Sequence, residues 1–147
     1  MGLSVEQSSI HVKTSTIANL EMRLMEISNE RALKHTYSAA QTSEITFQKD
    51  ALIAEIRAKY GYTDDFSSES SLSSEQYAQM MAECESVEND CQLQLDEILN
   101  QMTIAEERLD TQQVEVETQL EAERASIETW KEARDATVEE CGYFDGQ

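Results

Sequence analysis

Residues 95–130 read LDEILNQMTIAEERLDTQQVEVETQLEAERASIETW, and this stretch decides the fold. Apolar side chains recur in it at steps of three and four residues, which is the spacing of one face of an α-helix. The same spacing continues in both directions, from Tyr77 to Val138. Proline, the commonest helix breaker, is absent from the whole chain. The sequence therefore predicts one long helix in the second half of the chain.

Three positions of this series are polar, namely Gln112, Glu123 and Arg134. Such interruptions are more typical of a seam between two helices than of a globular core. Extra four-residue steps at Leu95 and Leu120 relax a strict heptad, so we expect a nearly straight helix. The series consists of Tyr77, Met80, Cys84, Val87, Cys91, Leu95, Ile98, Met102, Ala105, Leu109, Gln112, Val116, Leu120, Glu123, Ile127, Trp130, Arg134 and Val138.

The first half of the chain carries a weaker version of the same pattern. Residues 8–16 and 36–46 are rich in Ser, Thr and β-branched residues, which are mediocre helix formers. We expect a helix here because packing against the second helix supplies the stability that propensity lacks. The positions that keep the spacing of a seam are Ile17, Leu20, Leu24 and Ile27.

Two Ser-x-x-Gln motifs predict where the helices begin. Ser4 is followed by Gln7, and Ser73 is followed by Gln76. In such a capping box the Ser hydroxyl accepts from a backbone amide of the first turn, while the Gln side chain accepts from the Ser amide. We therefore expect one helix to start near residue 4 and the other near residue 73.

Glycines predict where the helices end. Gly61 and Gly142 are stop signals, because glycine adopts the left-handed conformation that closes a helix. The predicted segments are a helix over 4–60, a Ser- and Asp-rich loop over 61–72, an acidic helix over 73–141 and an aromatic tail over 142–147. The fold class is therefore all-α, a long two-helix antiparallel hairpin or coiled coil that forms a single elongated domain over 1–147. An open arrangement of extended helices in an assembly fits the same signals.

The formal charge of −19 arises in the second half of the chain. Residues 1–62 hold seven acids and seven bases, so residues 63–147 hold 30 − 7 = 23 acids and 11 − 7 = 4 bases. Such a surface repels nucleic acid, so we predict no nucleic-acid partner. It is either a solvated face or a docking surface for a basic partner or divalent cations. Apolar runs fall far short of the roughly 20 residues that cross a bilayer, so we predict no membrane span.

No motif in the sequence indicates an enzyme. Cys84 and Cys91 lie on the predicted seam as small buried residues, with an interchain disulfide as the alternative, and Cys141 is the more reactive thiol. His11 and His35 have no neighbouring ligands at metal-binding spacing. A Gly-rich phosphate loop is also missing. We therefore predict no enzymatic activity, no catalytic or metal-binding residues and no cofactor.

We expect the seam to support self-association. One seam buries too little apolar surface to offset the ordering of so long a helix, so further faces are expected to pack against other copies or another protein. Tyr143 and Phe144, in the tail, are predicted to anchor the terminus in a neighbour. The predicted seam residues are Ile17, Leu20, Leu24, Ile27, Leu95, Ile98, Met102, Leu109, Val116, Leu120, Ile127 and Trp130.

Residues 1–4 (MGLS) with Gln7, and the run 106–110 (EERLD) continuing through Glu117 to Glu123, resemble a group of short, uncharacterised bacterial helical proteins. The layout is also similar to that of signal-less exported filament subunits, such as type III secretion needle and filament proteins and the terminal helices of flagellins. In those proteins two long helices pack as a hairpin around a variable middle, and the start is rich in Ser and Thr. The resemblance implies a filament subunit.

We therefore expect a structural, self-assembling protein, the subunit of an extracellular helical filament or coiled-coil assembly that forms homo-oligomers or polymers. The start of the chain lacks a basic patch followed by an apolar run, so the expected route to the cell surface is independent of a cleavable signal. The alternative function is an acidic cytoplasmic adaptor or secretion chaperone that binds a basic protein partner.

Overall fold

A computed structural model of the chain describes residues 2–62 and 72–145, with the side chains of residues 3–62 and 72–141. Most of the predicted loop over 61–72 therefore lies outside the described residues, as do the side chains of the predicted aromatic tail. The predictions for those residues stay predictions.

The prediction of an all-α fold is confirmed. The chain forms two helices, α1 (Gly2–Lys59) and α2 (Ser74–Asp145), and the described residues contain no strand. The two helices pack against each other as a helical hairpin. Both helices are longer than the average of about 11–12 residues by a wide margin, as expected when no proline interrupts them.

The capping box predicted at the start of α2 is present. The Ser73 amide donates to Gln76 Oε1 at 3.1 Å, and the Gln76 amide donates to Ser73 Oγ at 3.2 Å. At the start of α1 the helix begins at Gly2, which agrees with the predicted start near residue 4 to within two residues, but Ser4 lies inside the helix and is not its cap.

The stop signal predicted at the end of α1 is also present. Gly61 has φ 66°, its amide donates to Ala58 at 3.1 Å, and the Tyr62 amide donates to Arg57 at 2.9 Å. These two bonds form a Schellman motif, which satisfies carbonyls that the helix leaves open. Gly142 does not stop α2, which continues to Asp145. An interior glycine costs a helix only about 1 kcal/mol relative to alanine, so it ends a helix only where the left-handed turn is made.

Threonine hydroxyls in the Ser/Thr-rich parts of α1 bond to backbone carbonyls of the same helix. Thr14 and Thr16 donate to the carbonyls four residues before them at 2.7 and 3.0 Å, and Thr46 does so at 2.9 Å. Each hydroxyl is thus satisfied within its own helix and does not compete for a turn. The prediction that packing overrides propensity in this segment agrees with the observed helix.

Two compact units divide the chain. Unit 1 comprises Met1–Ala32 and Glu106–Gln147, and unit 2 comprises Leu33–Ala105. Both helices contribute to both units. In unit 1 the start of α1 contacts the end of α2, and in unit 2 the end of α1 contacts the start of α2. The two helices are therefore antiparallel within each unit, as the sequence predicts.

Candidate interaction surfaces

The predicted series on α2 forms the inner face of the hairpin, the side that packs on α1. All of its positions are buried or half-buried except Tyr77 and Val138, which are exposed at 44% and 50%. At the end of the series Thr137, not Val138, is half-buried on the inner face. The Thr137 hydroxyl donates to Glu6 at 2.8 Å. The helical spacing alone therefore identified almost the entire inner face of α2.

The centre of unit 1 is an apolar cluster between the two helices. Ile27, Leu109 and Val116 are buried there, and Leu20 and Leu24 pack against them. Ile27 and Leu109 are among the most completely buried side chains of the described residues, at 1% and 0% exposure. This cluster holds α1 and α2 together within unit 1.

The predicted self-association residues all lie on the inner face of the hairpin. Beyond the cluster, Leu120 and Ile127 are buried. The half-buried ones are Ile17, Leu20, Leu24, Leu95, Ile98, Met102 and Trp130. These side chains thus serve the contact between α1 and α2 within one chain, and their part in association between chains stays a prediction.

Polar residues on the inner face of α2 meet bases on α1. Gln112 Oε1 accepts from Arg23 at 3.2 Å, and Glu123 pairs with Lys13 at 2.9 Å. Arg134 is half-buried on the same face. Charged pairs inside a helical seam fix the register of the helices more than they add stability. The interruptions seen in the sequence are therefore part of the intramolecular contact.

Ion pairs flank the inner face of unit 1. Arg31 pairs with Glu106 and with Asp110, the latter at 2.9 Å, and Arg108 pairs with Glu30 at 2.7 Å. The hydrogen bond from Arg31 to Asp110 is the main cause that raises the pKa of Arg31 above its ordinary value, while burial acts in the opposite direction. Both helices supply bases to these ion pairs, Arg31 from α1 and Arg108 from α2. Every Lys and Arg of α2 lies in unit 1.

A second apolar surface lies on the outside of α1 in unit 2. Its positions follow alternating steps of four and three residues, and every one is exposed. Three of them are large, with Leu33, Tyr37 and Phe47 exposed at 70%, 65% and 75%. We call this surface the outer heptad face, and it consists of Leu33, Tyr37, Ala40, Glu44, Phe47, Ala51, Ala54 and Ala58.

Sequence reasoning did not identify the outer heptad face. Half of its positions are alanine, a residue that is too small to stand out as part of an apolar stripe. A signal was nevertheless present, since the spacing is a strict seven-residue repeat with a charge only at Glu44. Testing α1 for two separate seams would have found it.

The part of α2 in unit 2 is an acidic surface. Residues 74–105 contain seven acids and no Lys or Arg. Within the described residues, Glu83 is the one acid of this segment that forms an ion pair. Its Oε1 lies 3.3 Å from Lys59 Nζ. The Tyr60 hydroxyl also donates to Glu83, at 3.0 Å. Burial, followed by this hydrogen bond, raises the pKa of Tyr60.

The remaining candidates concern cysteines, metals and membranes. Cys84 and Cys91 are buried, as predicted for seam positions, and Cys141 is exposed; all three are free thiols. In the part of the chain that the structure describes, no cluster of three or more His, Cys, Asp or Glu side chains is arranged to hold a metal ion. Neither helix, within the same part, has a stretch long and apolar enough to cross a bilayer.

The predicted terminal anchor lies at the end of α2. The backbone of Tyr143 and Phe144 is helical, since α2 continues to Asp145. Their side chains are outside the described residues, so an anchoring role for them stays a prediction.

No family model, curated protein or solved structure matches the chain. The resemblance to exported filament subunits therefore remains a prediction from the sequence. The functional evidence is the surface of the hairpin itself.

Proposed function

We propose that the chain is a structural protein whose helical hairpins assemble with one another, as the subunit of a coiled-coil assembly or filament. The observation that carries this proposal is the balance between exposed and buried apolar side chains. Among the described residues, fifteen large apolar side chains are exposed, whereas eight apolar side chains are buried. Contiguous exposed apolar surfaces on a folded chain, such as the outer heptad face, mark sites of interaction.

The accessible surface of the chain supports the same proposal. It measures 10849 Å² for a chain of 16.7 kDa. A compact monomer of that mass exposes about 7600 Å² by the usual scaling of surface with mass. One hairpin therefore leaves far more surface in water than a compact domain does, and burial against further copies removes part of this excess.

A filament needs more than one contact surface on each copy. A surface that binds its own equivalent gives a closed dimer, whereas continued growth requires a second, different contact. The outer heptad face offers one surface in unit 2. In unit 1, Met22 and Met25 are exposed on α1 at 60% and 67%, and they offer apolar area for a second. An exported extracellular filament is the form of assembly that we favour.

A second candidate function is an acidic adaptor or secretion chaperone that binds a basic partner. The observation that favours it is the acidic segment over 74–105, in which Glu83 alone has a nearby cation among the described residues. An incoming basic helix would gain several ion pairs there and would bind in a salt-dependent manner.

Sedimentation velocity over a wide range of protein concentration tests the proposal. We expect a mass above 16.7 kDa that rises with concentration, while circular dichroism shows that the assembled chain stays helical. Negative-stain electron microscopy of the same samples distinguishes filaments from closed oligomers. A fully helical chain that sediments as a monomer at every concentration contradicts the proposal.

The adaptor is tested separately with a lysine-rich amphipathic helical peptide as probe. Tight binding that weakens steeply with salt, by a chain that forms only small uniform particles, would favour the adaptor over the structural subunit. If such particles do not bind the peptide, the adaptor is contradicted.

A further inference from the structure

We infer that the outer heptad face of α1 binds the same face of a second copy in antiparallel orientation, with Leu33 of one copy beside Ala58 of the other. This inference rests on the proposed function, because it names the surface and the orientation through which two hairpins associate. The occupant of the face is thus another copy of this chain.

The spacing of the face indicates a helical partner. Alternating steps of four and three residues are the repeat of a helix that coils around another helix. The inner positions of α1 in unit 2 follow a different spacing, with successive four-residue steps at Ile45, Lys49 and Ile53. The outer heptad face therefore has the repeat of a second coiled-coil contact, separate from the one with α2.

The sizes of the side chains favour the antiparallel orientation. The two large residues near the start of the face, Leu33 and Tyr37, face two alanines at its end when a second copy runs in the opposite direction. A large side chain beside a small one fills a layer without overpacking. The layers across the two copies pair Leu33 with Ala58, Tyr37 with Ala54, Ala40 with Ala51 and Glu44 with Phe47.

Charges at the edge of the face agree with the same register. Lys34 follows Leu33 and Glu55 follows Ala54, so both lie at flanking positions of the repeat. In the antiparallel register, Lys34 of each copy lies near Glu55 of the other, which gives two opposite-charge pairs. Within the described residues neither Lys34 nor Glu55 has an opposite charge within 4 Å in its own chain. The second copy supplies the partner that each lacks.

A parallel arrangement of the two copies brings like charges together. Glu44 then faces Glu44 of the other copy inside the seam, and Asp50 lies beside Glu55 of the other copy at the flank. Like charges at such positions destabilise a coiled coil. The face also carries only one carboxylate along its length, so it suits an apolar partner better than a basic one.

A charge exchange at the two flanking positions tests the inference on the full-length chain. Lys34→Glu alone and Glu55→Lys alone each turn two attractive pairs into two repulsive pairs. We expect each to raise the dissociation constant of the dimer about tenfold, as measured by sedimentation velocity. The double variant Lys34→Glu with Glu55→Lys restores opposite charges, and we expect its dissociation constant to return close to that of the unmodified chain.

Glu85→Lys is the matched control for Glu55→Lys. It makes the same change of charge at an exposed position of α2 that lies off the face. We expect at most a small effect. The inference is overturned if Glu85→Lys weakens association as much as Glu55→Lys does, or if the double variant is no better than the single ones.

Disulfide trapping tests the orientation. The background is Cys141→Ser, because Cys141 is exposed while Cys84 and Cys91 are buried. Ala40→Cys and Ala51→Cys are made in separate chains. On oxidation we expect crosslinks in a mixture of the two variants and none in either alone. Crosslinking of each variant with itself would show a parallel pair and overturn the inference.

The same experiments separate this inference from the proposed function. A chain that assembles, but neither responds to the charge exchange nor crosslinks across the face, retains the proposed function and loses the inference. A helical chain that stays monomeric at every concentration loses both. Association that weakens in the single variants and recovers in the double variant supports both.

Discussion

Unit 1 and unit 2 consist of the same two helices, but α1 buries its apolar side chains more completely in unit 1 than in unit 2. In unit 1, Ile27 is buried against α2, and Leu24 packs beside it. In unit 2, Leu33, Tyr37 and Phe47 are exposed on the outside. Helix α1 therefore contributes a buried side chain to unit 1, whereas all of its residues in unit 2 are half-buried or exposed.

The inner contacts differ accordingly. The inner positions of α1 in unit 2 are half-buried and combine polar Ser38, Gln41 and Lys49 with Ile45, Ile53 and Ile56, whereas in unit 1 they include the apolar cluster around the buried Ile27. Cross-helix ion pairs are also concentrated in unit 1 among the described residues. Among the described residues, unit 1 thus has more ion pairs between the helices, whereas α1 in unit 2 exposes the rings of Tyr37 and Phe47.

The largest expected effect is on the stability of unit 1. Leu109→Ala empties the centre of the apolar cluster, where Leu109 is 0% exposed, and we expect a loss of about 2–5 kcal/mol in the free energy of unfolding. Leu99→Ala makes the same substitution where the side chain is 67% exposed, and we expect a change within about 0.5 kcal/mol. Urea unfolding followed by circular dichroism measures both. Equal losses would mean that burial of Leu109 in the cluster does not stabilise the chain.

The next effect is on association through unit 2. Phe47→Glu replaces a 75% exposed ring on the outer heptad face and sets a second carboxylate opposite Glu44 of the neighbouring copy. We expect the free energy of association to weaken by about 2 kcal/mol, roughly 30-fold in the dissociation constant, with helicity unchanged.

Leu93→Glu is the control for Phe47→Glu, since Leu93 is 68% exposed on α2. Sedimentation equilibrium compares the two variants with the unmodified chain. If Leu93→Glu disrupts association while Phe47→Glu does not, the binding surface is on α2 and the comparison of the two units must be revised.

A smaller effect is expected from the ion pairs of unit 1. Arg31→Met removes the bonds to Glu106 and Asp110, and we expect a lower melting temperature, by less than Leu109→Ala causes. The difference should shrink in 1 M salt because salt screens such pairs. Arg134→Met is the control, since the carboxylate near Arg134 belongs to its sequence neighbour Asp135, and we expect little change. A salt-independent loss would show that Arg31 acts through packing alone.

The smallest effect concerns Tyr60 at the end of α1. Burial and the hydrogen bond to Glu83 raise the pKa of Tyr60, so its neutral form is favoured in the folded chain. This contribution to stability is complete below the ordinary tyrosine pKa of about 10 and is lost as the pH rises through the raised value.

Titration at 295 nm, with the curve of Tyr60→Phe subtracted to isolate one of the five tyrosines, measures this pKa. We expect Glu83→Gln to lower it, because the carboxylate no longer opposes formation of a phenolate. An unchanged titration in Glu83→Gln would assign the whole shift to burial.

Much of this fold could be predicted because helical spacing is a local property of the sequence. The steps from Met80 to Trp130 identified the inner face of α2, and the capping box at Ser73 and the stop at Gly61 were confirmed. Each of these signals depends on residues within about one or two helical turns of one another. Such patterns act whatever the rest of the chain does.

The remaining features depend on the partner helix, so spacing on one helix did not disclose them. The bases that meet Gln112 and Glu123 lie on α1, about 90 and 110 residues away in sequence. Helix α2 continues past Gly142 to Asp145 because a glycine ends a helix only where the left-handed turn forms. The outer heptad face was missed because alanine counts little toward an apolar stripe, yet at this spacing it allows helices to approach closely.

The run of acids on α2 has a practical consequence for digestion by proteases. Residues 60–107 contain no Lys or Arg, so trypsin finds no cleavage site between Lys59 and Arg108. Cleavage by trypsin therefore measures how readily α1 and the later half of α2 open. Residues 60–108 remain as one long fragment. A glutamate-specific protease has sites throughout that fragment, beginning with Glu69 and Glu75. Digestion with the two enzymes in parallel measures separately how readily each of these regions opens.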